Sequence, residues 1–236
     1  MSLDAEPVDV PTYSPATASR LVRLEPGRVR RWLEGHEYNY SPKMATANNR
    51  RRQRPLVRRR GALGSRYASF LDLIDLLFVK KFVEHGISVQ KLRKALEEAV
   101  DLIGDHHFAQ RRFWTDGRKI YLQIKDKPAE ALLELLSDGQ WVIAPIIKQV
   151  AHQIEFDEHT GMSKRWFPLG KDKPVVLDPA VSFGAPTIAG HGVQTANVFD
   201  LYKGEGRDIS RVSAWLDVPP EAVESAVEFE QGLAAA

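Results

Sequence analysis

Residues 70 to 84, FLDLIDLLFVKKFVE, place apolar side chains on nearly every side of a helix. Leu71, Leu73, Ile74, Leu76, Leu77, Phe78, Val79 and Phe82 do not collect into one stripe. A helix of that kind is not a surface helix, so the stretch predicts a segment buried on most sides, with neighbouring chain packed around it. Ser69 followed by Asp72 has the capping-box pattern at its start, and His85-Gly86 ends it. Ser88 then caps a second helix whose apolar face is Val89, Leu92, Leu96, Ala99, Val100 and Ile103. Lys80, Lys81, Lys91, Arg93 and Lys94 fall off these stripes and read as solvated.

Upstream of that helix the charge is lopsided. NNRRRQRPLVRRR, residues 48 to 60, holds seven arginines and no acid. From Tyr38 to Leu71 there are nine basic residues and no acidic ones, which leaves 24 basic and 31 acidic residues, a formal −7, elsewhere. The net charge of +2 therefore hides one positive segment on an acidic protein, the pattern of a nucleic-acid contact surface. A solvated basic loop has the same composition, so the flanks decide.

On the left flank, Ser14 caps a helix opened by Pro15, with Ala16, Ala18, Leu21 and Val22 as its apolar face. Leu24-Glu25-Pro26 breaks it. A second short helix fits Pro26 to Leu33, with Val29, Trp32 and Leu33 at helical spacing and Gly35 as its stop. Two short helices joined by a tight turn make a helix-turn-helix, whose second helix enters the DNA major groove. Arg28, Arg30 and Arg31 lie on that helix. Arginine binds guanine or clamps phosphate in a bidentate way. An ordinary helical hairpin with surface arginines gives the same local pattern.

In this order the features resemble the MerR-type winged helix-turn-helix. Val29-Arg30-Arg31-Trp32 is similar to its recognition-helix signature, with Arg31 where tyrosine is usual. Arg66, Ser69, Asp72 and Leu73 resemble its Arg-x-x-Ser-x-x-Asp-Leu step from wing to third helix. Glu84-His85-Gly86-Ile87-Ser88 followed by Leu92 resembles its Glu-Leu-Gly-Phe-Ser turn. The resemblance covers roughly residues 11 to 103. It lacks the metal-sensing thiolates and the long coiled coil of classical members. It implies that the arginine run is the wing, a loop or hairpin lying against phosphates, in which only Leu56 and Val57 can pack. The DNA-contacting residues it implies are Arg28, Arg30, Arg31, Lys43, Arg50, Arg51, Arg52, Arg54, Arg58, Arg59, Arg60 and Arg66. About five phosphates neutralised per subunit would make log K fall by about 4 to 5 units per unit of log salt.

From Asp105 to Lys173 the period changes. Arg112 to Trp114 and Arg118 to Ile124 read as a hairpin across Thr115-Asp116-Gly117. Ala129 to Leu136 and Ile143 to His152 read as helices. Gln153 to Asp157 and Ser163 to Pro168 read as a second hairpin around His159-Thr160-Gly161. Asp105-His106-His107 offers metal-ligating types, but adjacent histidines in an extended segment point to opposite faces. No HxxxH or HExxH spacing, P-loop or nucleophile elbow occurs. The absence of cysteine excludes disulfides, thiolate zinc sites and thiol catalysis. No metal, cofactor or enzymatic activity is expected.

Lys173 to Pro179 starts with a short strand, and the glycine-rich stretch 184 to 192 reads as turns. Thr195 caps a helix stopped by Gly204, and Asp208 caps a helix from Ile209 to Leu216. Pro219 and Pro220 open a last helix with Ala222, Val223, Ala226 and Val227 on its apolar face. Residues 193 to 236 hold eight acids and three bases, so phosphate repels this pair and a protein contact is favoured.

Asp178, Pro179, Gly184, Pro186, Gly190, Gly192, Thr195 and Ile209 resemble the pattern of a small bacterial domain of unknown function found among antitoxins. With a MerR-like reader in front, the joint architecture resembles a VapB-type antitoxin of an actinobacterial toxin–antitoxin pair. The resemblance implies a toxin partner of the PIN ribonuclease type and repression of the pair's own promoter.

The expected fold class is α+β, mainly α. A MerR-like winged helix-turn-helix spans residues 1–104, a small α+β unit with two hairpins spans 105–172, and a trihelical module spans 173–236. The expected protein is a DNA-binding antitoxin that neutralises a ribonuclease toxin by direct binding and holds double-stranded operator DNA, as a homodimer because winged readers recognise paired half-sites. A MerR-like regulator answering a small effector, without a toxin, is the alternative. The polar, proline-rich start MSLDAEPVDVPTYSP reads as no signal peptide, and no apolar run is long enough for a bilayer. The cytoplasm is the expected location, and no membrane partner is expected.

Overall fold

The computed structural model describes residues 6–40, 49–57, 66–103, 109–110, 150 and 152–234. Helix α1 (Pro15–Val22) begins where Ser14 Oγ accepts from the Thr17 amide at 3.1 Å, with proline ready-set in the first turn. Ala18, Leu21 and Val22 are buried, while Ala16 faces solvent. Helix α2 (Pro26–Glu34) is capped by Glu25, whose carboxylate accepts from the amides of Gly27 and Arg28. Val29, Trp32 and Leu33 are its buried face. At Gly35, φ is +75°, and a Cβ there would overlap the Gln53 carbonyl, so the chain can turn straight into a strand.

That strand, β1 (His36–Tyr40), pairs antiparallel with β2 (Asn49–Gln53). The basic run is thus in part a hairpin strand. Beyond it Leu56 and Val57 are buried, and their amides both donate to the Trp32 carbonyl, at 2.8 and 3.0 Å. Helix α3 (Phe70–Glu84) carries the expected capping box. The Asp72 amide donates to Ser69 Oγ and the Ser69 amide to Asp72 Oδ2. It is buried on most sides, Asp72 and Asp75 included. Helix α4 (Val89–Ile103) follows a turn at Gly86, with Ser88 Oγ accepting from the Lys91 amide.

A four-stranded antiparallel sheet runs in the order β3 (Ile154–Phe156), β4 (Ser163–Trp166), β5 (Val175–Leu177) and β6 (Pro186–Ile188). Helices α5 (Thr195–Gly204), α6 (Ile209–Leu216) and α7 (Pro220–Ala234) close the chain. Asp208 caps α6, accepting from the Arg211 amide at 3.0 Å. Ala222, Val223, Ala226 and Val227 of α7 are buried. Two readings need correction. Pro186 to Ile188 is a strand, not a turn. Thr195 is the first residue of α5 rather than its cap, because its hydroxyl is spent on Glu230 Oε1 at 2.5 Å.

One apolar cluster joins α1, α2, α3 and α4 to Trp166, Val175 and Leu177 of the sheet and to Phe229 and Leu233 of α7. A second holds α5, α6 and α7 together over Ile188. The first segment and the last therefore share a core, and Arg20 of α1 meets Glu230 of α7 at 4.0 Å. Among the described residues there are seven helices and two small sheets, an α+β arrangement that is mainly helical. No described helix is long and apolar enough to cross a membrane. The readings at 105–107 and 112–136, and that at 143–152 apart from Val150 and His152, lie outside the described residues.

Candidate nucleic-acid interface

Helix α2 presents its arginines outward because Val29, Trp32 and Leu33 use the inward positions. Arg28, Arg30 and Arg31 are all exposed. Arg28 lies over the Trp32 ring, 5.9 Å from its centroid, which limits its freedom without neutralising it. Arg31 approaches the Glu25 carboxylate at 3.6 Å. The amides of Gly27 and Arg28, with the Arg31 charge behind them, hold Glu25 below the usual carboxylate range. The N-terminal end of α2 is therefore an arginine surface with one fixed carboxylate at its tip.

The hairpin adds a second arginine row. Its register sets Tyr38 opposite Arg51, Asn39 opposite Arg50, Glu37 opposite Arg52 and His36 opposite Gln53. Strand alternation then puts His36, Tyr38, Arg51 and Gln53 on one face, and Glu37, Asn39, Arg50 and Arg52 on the other. Arg50, Arg51, Arg52 and Arg54 are all exposed. The His36 and Tyr38 rings are 6.0 Å apart, so the face with Arg51 also carries aromatic surface. Tyr38 is 41% exposed, a flat apolar area beside cationic side chains. Arg66 is exposed after the hairpin, next to Tyr67 at 52%. Lys43, Arg58, Arg59 and Arg60 lie outside the described residues.

Two ties hold the arginine row in place, one to α2 and one to α4. One is the pair of amide bonds from Leu56 and Val57 to the Trp32 carbonyl. The other is Arg93 of α4, whose Nη1 donates to the carbonyls of Arg54 at 2.6 Å and Pro55 at 3.0 Å. The apolar pattern reads Arg93 as solvated. It is half-buried instead, and burial disfavours its charge, with Glu97 offsetting part of the effect. Lys80 and Lys81 are also half-buried, each ion-paired with Glu84. No pattern within α4 marks Arg93, because its partners are 38 and 39 residues away.

The motif positions of the last module have structural uses. Asp178 Oδ2 accepts from Arg165 Nε at 2.6 Å, and its Oδ1 accepts from the Ala180 amide. Gly184 has φ of +77° under the Tyr13 hydroxyl. What stands out there is Trp215 on α6, 70% exposed, followed along the chain by the exposed Asp217, Glu221 and Glu224. Phe183 is 85% exposed in a left-handed turn. Among the described residues no group of three or more His, Asp or Glu could hold a metal ion.

No model of a known protein family matches the chain. The chain is 25% identical over 230 residues to a Mycobacterium tuberculosis protein named "Putative antitoxin VapB45", covering 93% of this chain and 94% of that one. It shares its fold with the crystal structure of Rv2018 from Mycobacterium tuberculosis. That match has a TM-score of 0.64 at 21% identity and covers 93% of this chain and 98% of that one.

Proposed function

We propose that the chain is the DNA-binding antitoxin of a toxin–antitoxin pair. Residues 1–104 act as a MerR-like winged reader, with α2 as the recognition helix and the β1–β2 hairpin as the wing. The single observation that carries the DNA contact is the exposed arginine strand, whose exit is fixed to the last turn of α2 through the Trp32 carbonyl. Such a tie makes helix and strand one rigid double contact rather than a helix with a loose basic tail. Arg28, Arg30 and Arg31 come to the major groove, where arginine holds a base edge or clamps a phosphate, Arg50, Arg51, Arg52, Arg54 and Arg66 contact phosphates, and Lys43, Arg58, Arg59 and Arg60 are further DNA contacts. A homodimer places two such readers on paired half-sites of the operator.

The antitoxin part of the reading rests on the likeness, along nearly the whole chain, to the protein named "Putative antitoxin VapB45". The trihelical module 173–236 supports it with an acidic surface and an exposed tryptophan, features of a protein contact rather than of a DNA contact. The partner is a ribonuclease toxin of the PIN type, held and neutralised there, and the complex represses its own promoter in the cytoplasm. Purification at endogenous expression from the native host tests this. A stoichiometric small ribonuclease from the adjacent gene, whose RNA cleavage stops on adding this chain, is the expected result. Operator DNA enriched with no protein partner would overturn it in favour of an effector-responsive regulator.

A further inference from the structure

Between α2, the root of the hairpin and α4 lies a groove of about 250 Å³. Arg28, Arg31, His36 and Arg93 line it together with Trp32, Gln53 and two valines, and no acid is among the lining residues. The acids that act on it are set back. Glu25 touches Arg31 from the helix tip, and Glu97 acts on Arg93 from along α4. Two nitrogens of its lining residues, His36 Nδ1 and Arg93 Nε, are enclosed and have no hydrogen-bond partner among the described residues. Arg93 spends Nη1 on the carbonyls of Arg54 and Pro55, which leaves its Nε unpaired. Three guanidinium groups and an imidazole around an open groove, with no acid among its lining, suit an anion rich in acceptors.

We infer that this groove is a seat for one phosphate oxyanion, shared by Arg28, Arg31 and Arg93 with His36 at its wall. A tetrahedral phosphate presents acceptors in several directions at once, which suits converging guanidinium and imidazole groups better than a planar carboxylate does. The inference rests on the DNA reading only for the source of the phosphate. On that reading it is the backbone phosphate at the point where α2 leaves the major groove and the hairpin begins. Arg93 then does two things: it fixes the hairpin root through two carbonyls and supplies charge behind the phosphate.

The shared seat predicts non-additivity. Each neutralised phosphate contributes about 0.9 to the slope of log K against log salt. Arg28→Gln, Arg31→Gln and the double variant are titrated against a mixed-sequence labelled duplex over a range of salt. In parallel, inorganic phosphate is titrated into the free protein, with sodium chloride at matched ionic strength as control, and the Trp32 indole NMR signal is followed. A double variant whose slope falls by about one unit per subunit in total identifies one seat holding a DNA phosphate. If the slope is unchanged but inorganic phosphate shifts Trp32 in the wild type and not in the double variant, the seat holds free phosphate. A double variant whose slope falls by about two units per subunit shows two separate contacts and overturns the inference. So does an unchanged slope with no Trp32 response to phosphate. Wild-type protein that binds no duplex defeats the DNA reading by itself, and the seat is then judged on the phosphate titration alone.

Discussion

The Tyr13 hydroxyl donates a 2.9 Å hydrogen bond to the Gly184 carbonyl, joining residues 171 positions apart inside the protein. Tyr13 is buried. Burial, and after it the charge of Asp178, pushes the hydroxyl's pKa upward, which favours the protonated form that donates. The backbone of Tyr13 pairs with Ala68, so one residue links the start of α1, the entry to α3 and the glycine-rich stretch. Tyr13→Phe leaves the Gly184 carbonyl buried without that donor and should cost about 1–3 kcal/mol. Denaturant unfolding measures it, and a midpoint unmoved from wild type would remove this link. Gly184→Ala should cost more, because its Cβ would overlap the same hydroxyl at a positive φ.

Trp32 is 5% exposed, and its carbonyl holds the hairpin exit. Trp32→Ala should therefore destabilise the chain by about 3–5 kcal/mol through poorer packing. It should also loosen the arginine strand. A thermal melt reads the first effect and proteolysis near residues 49–57 the second. A melt identical to wild type would show that Trp32 does not anchor this core.

Trp215→Ala should leave thermal stability nearly unchanged, because the side chain is mostly in water. On the proposed reading the same change should weaken binding of the ribonuclease partner by about 2 kcal/mol or more, the usual cost of removing an aromatic anchor from an interface. Calorimetric titration measures this. Full affinity would move the contact away from α6, and a large drop in stability would mean the tryptophan packs within the chain.

Features set by near neighbours were legible in the sequence. Ser14, Pro15, Asp208 and the Ser69–Asp72 box mark helix starts whose bonds lie within one turn. The burial of 70–84 was legible because no solvent-compatible face existed. The arginine row has no apolar alternation, so its strand character was open between loop and hairpin; pairing with β1 settled it. Arg93 and Thr195 escape a local reading for one reason. Each side chain bonds to a residue 35 or more positions away, and local pattern carries no trace of such a partner. Pro186 to Ile188 reads as turn by composition, yet it pairs with Val175 to Leu177. Trp215 sits on an apolar helix and gives no sign in the sequence of being left uncovered.

Salt-dependent DNA binding by the variant with Arg50, Arg51, Arg52 and Arg54 all changed to alanine tests the central claim most directly. Wild-type protein should bind duplex DNA with a steep salt slope. The variant should bind more weakly, with a slope smaller by about 3 to 4 units per subunit, roughly 0.9 for each phosphate no longer neutralised. These side chains are exposed, so the melt should stay near wild type. A variant with the wild-type affinity and slope would contradict the account and leave the arginine strand without a role in DNA binding.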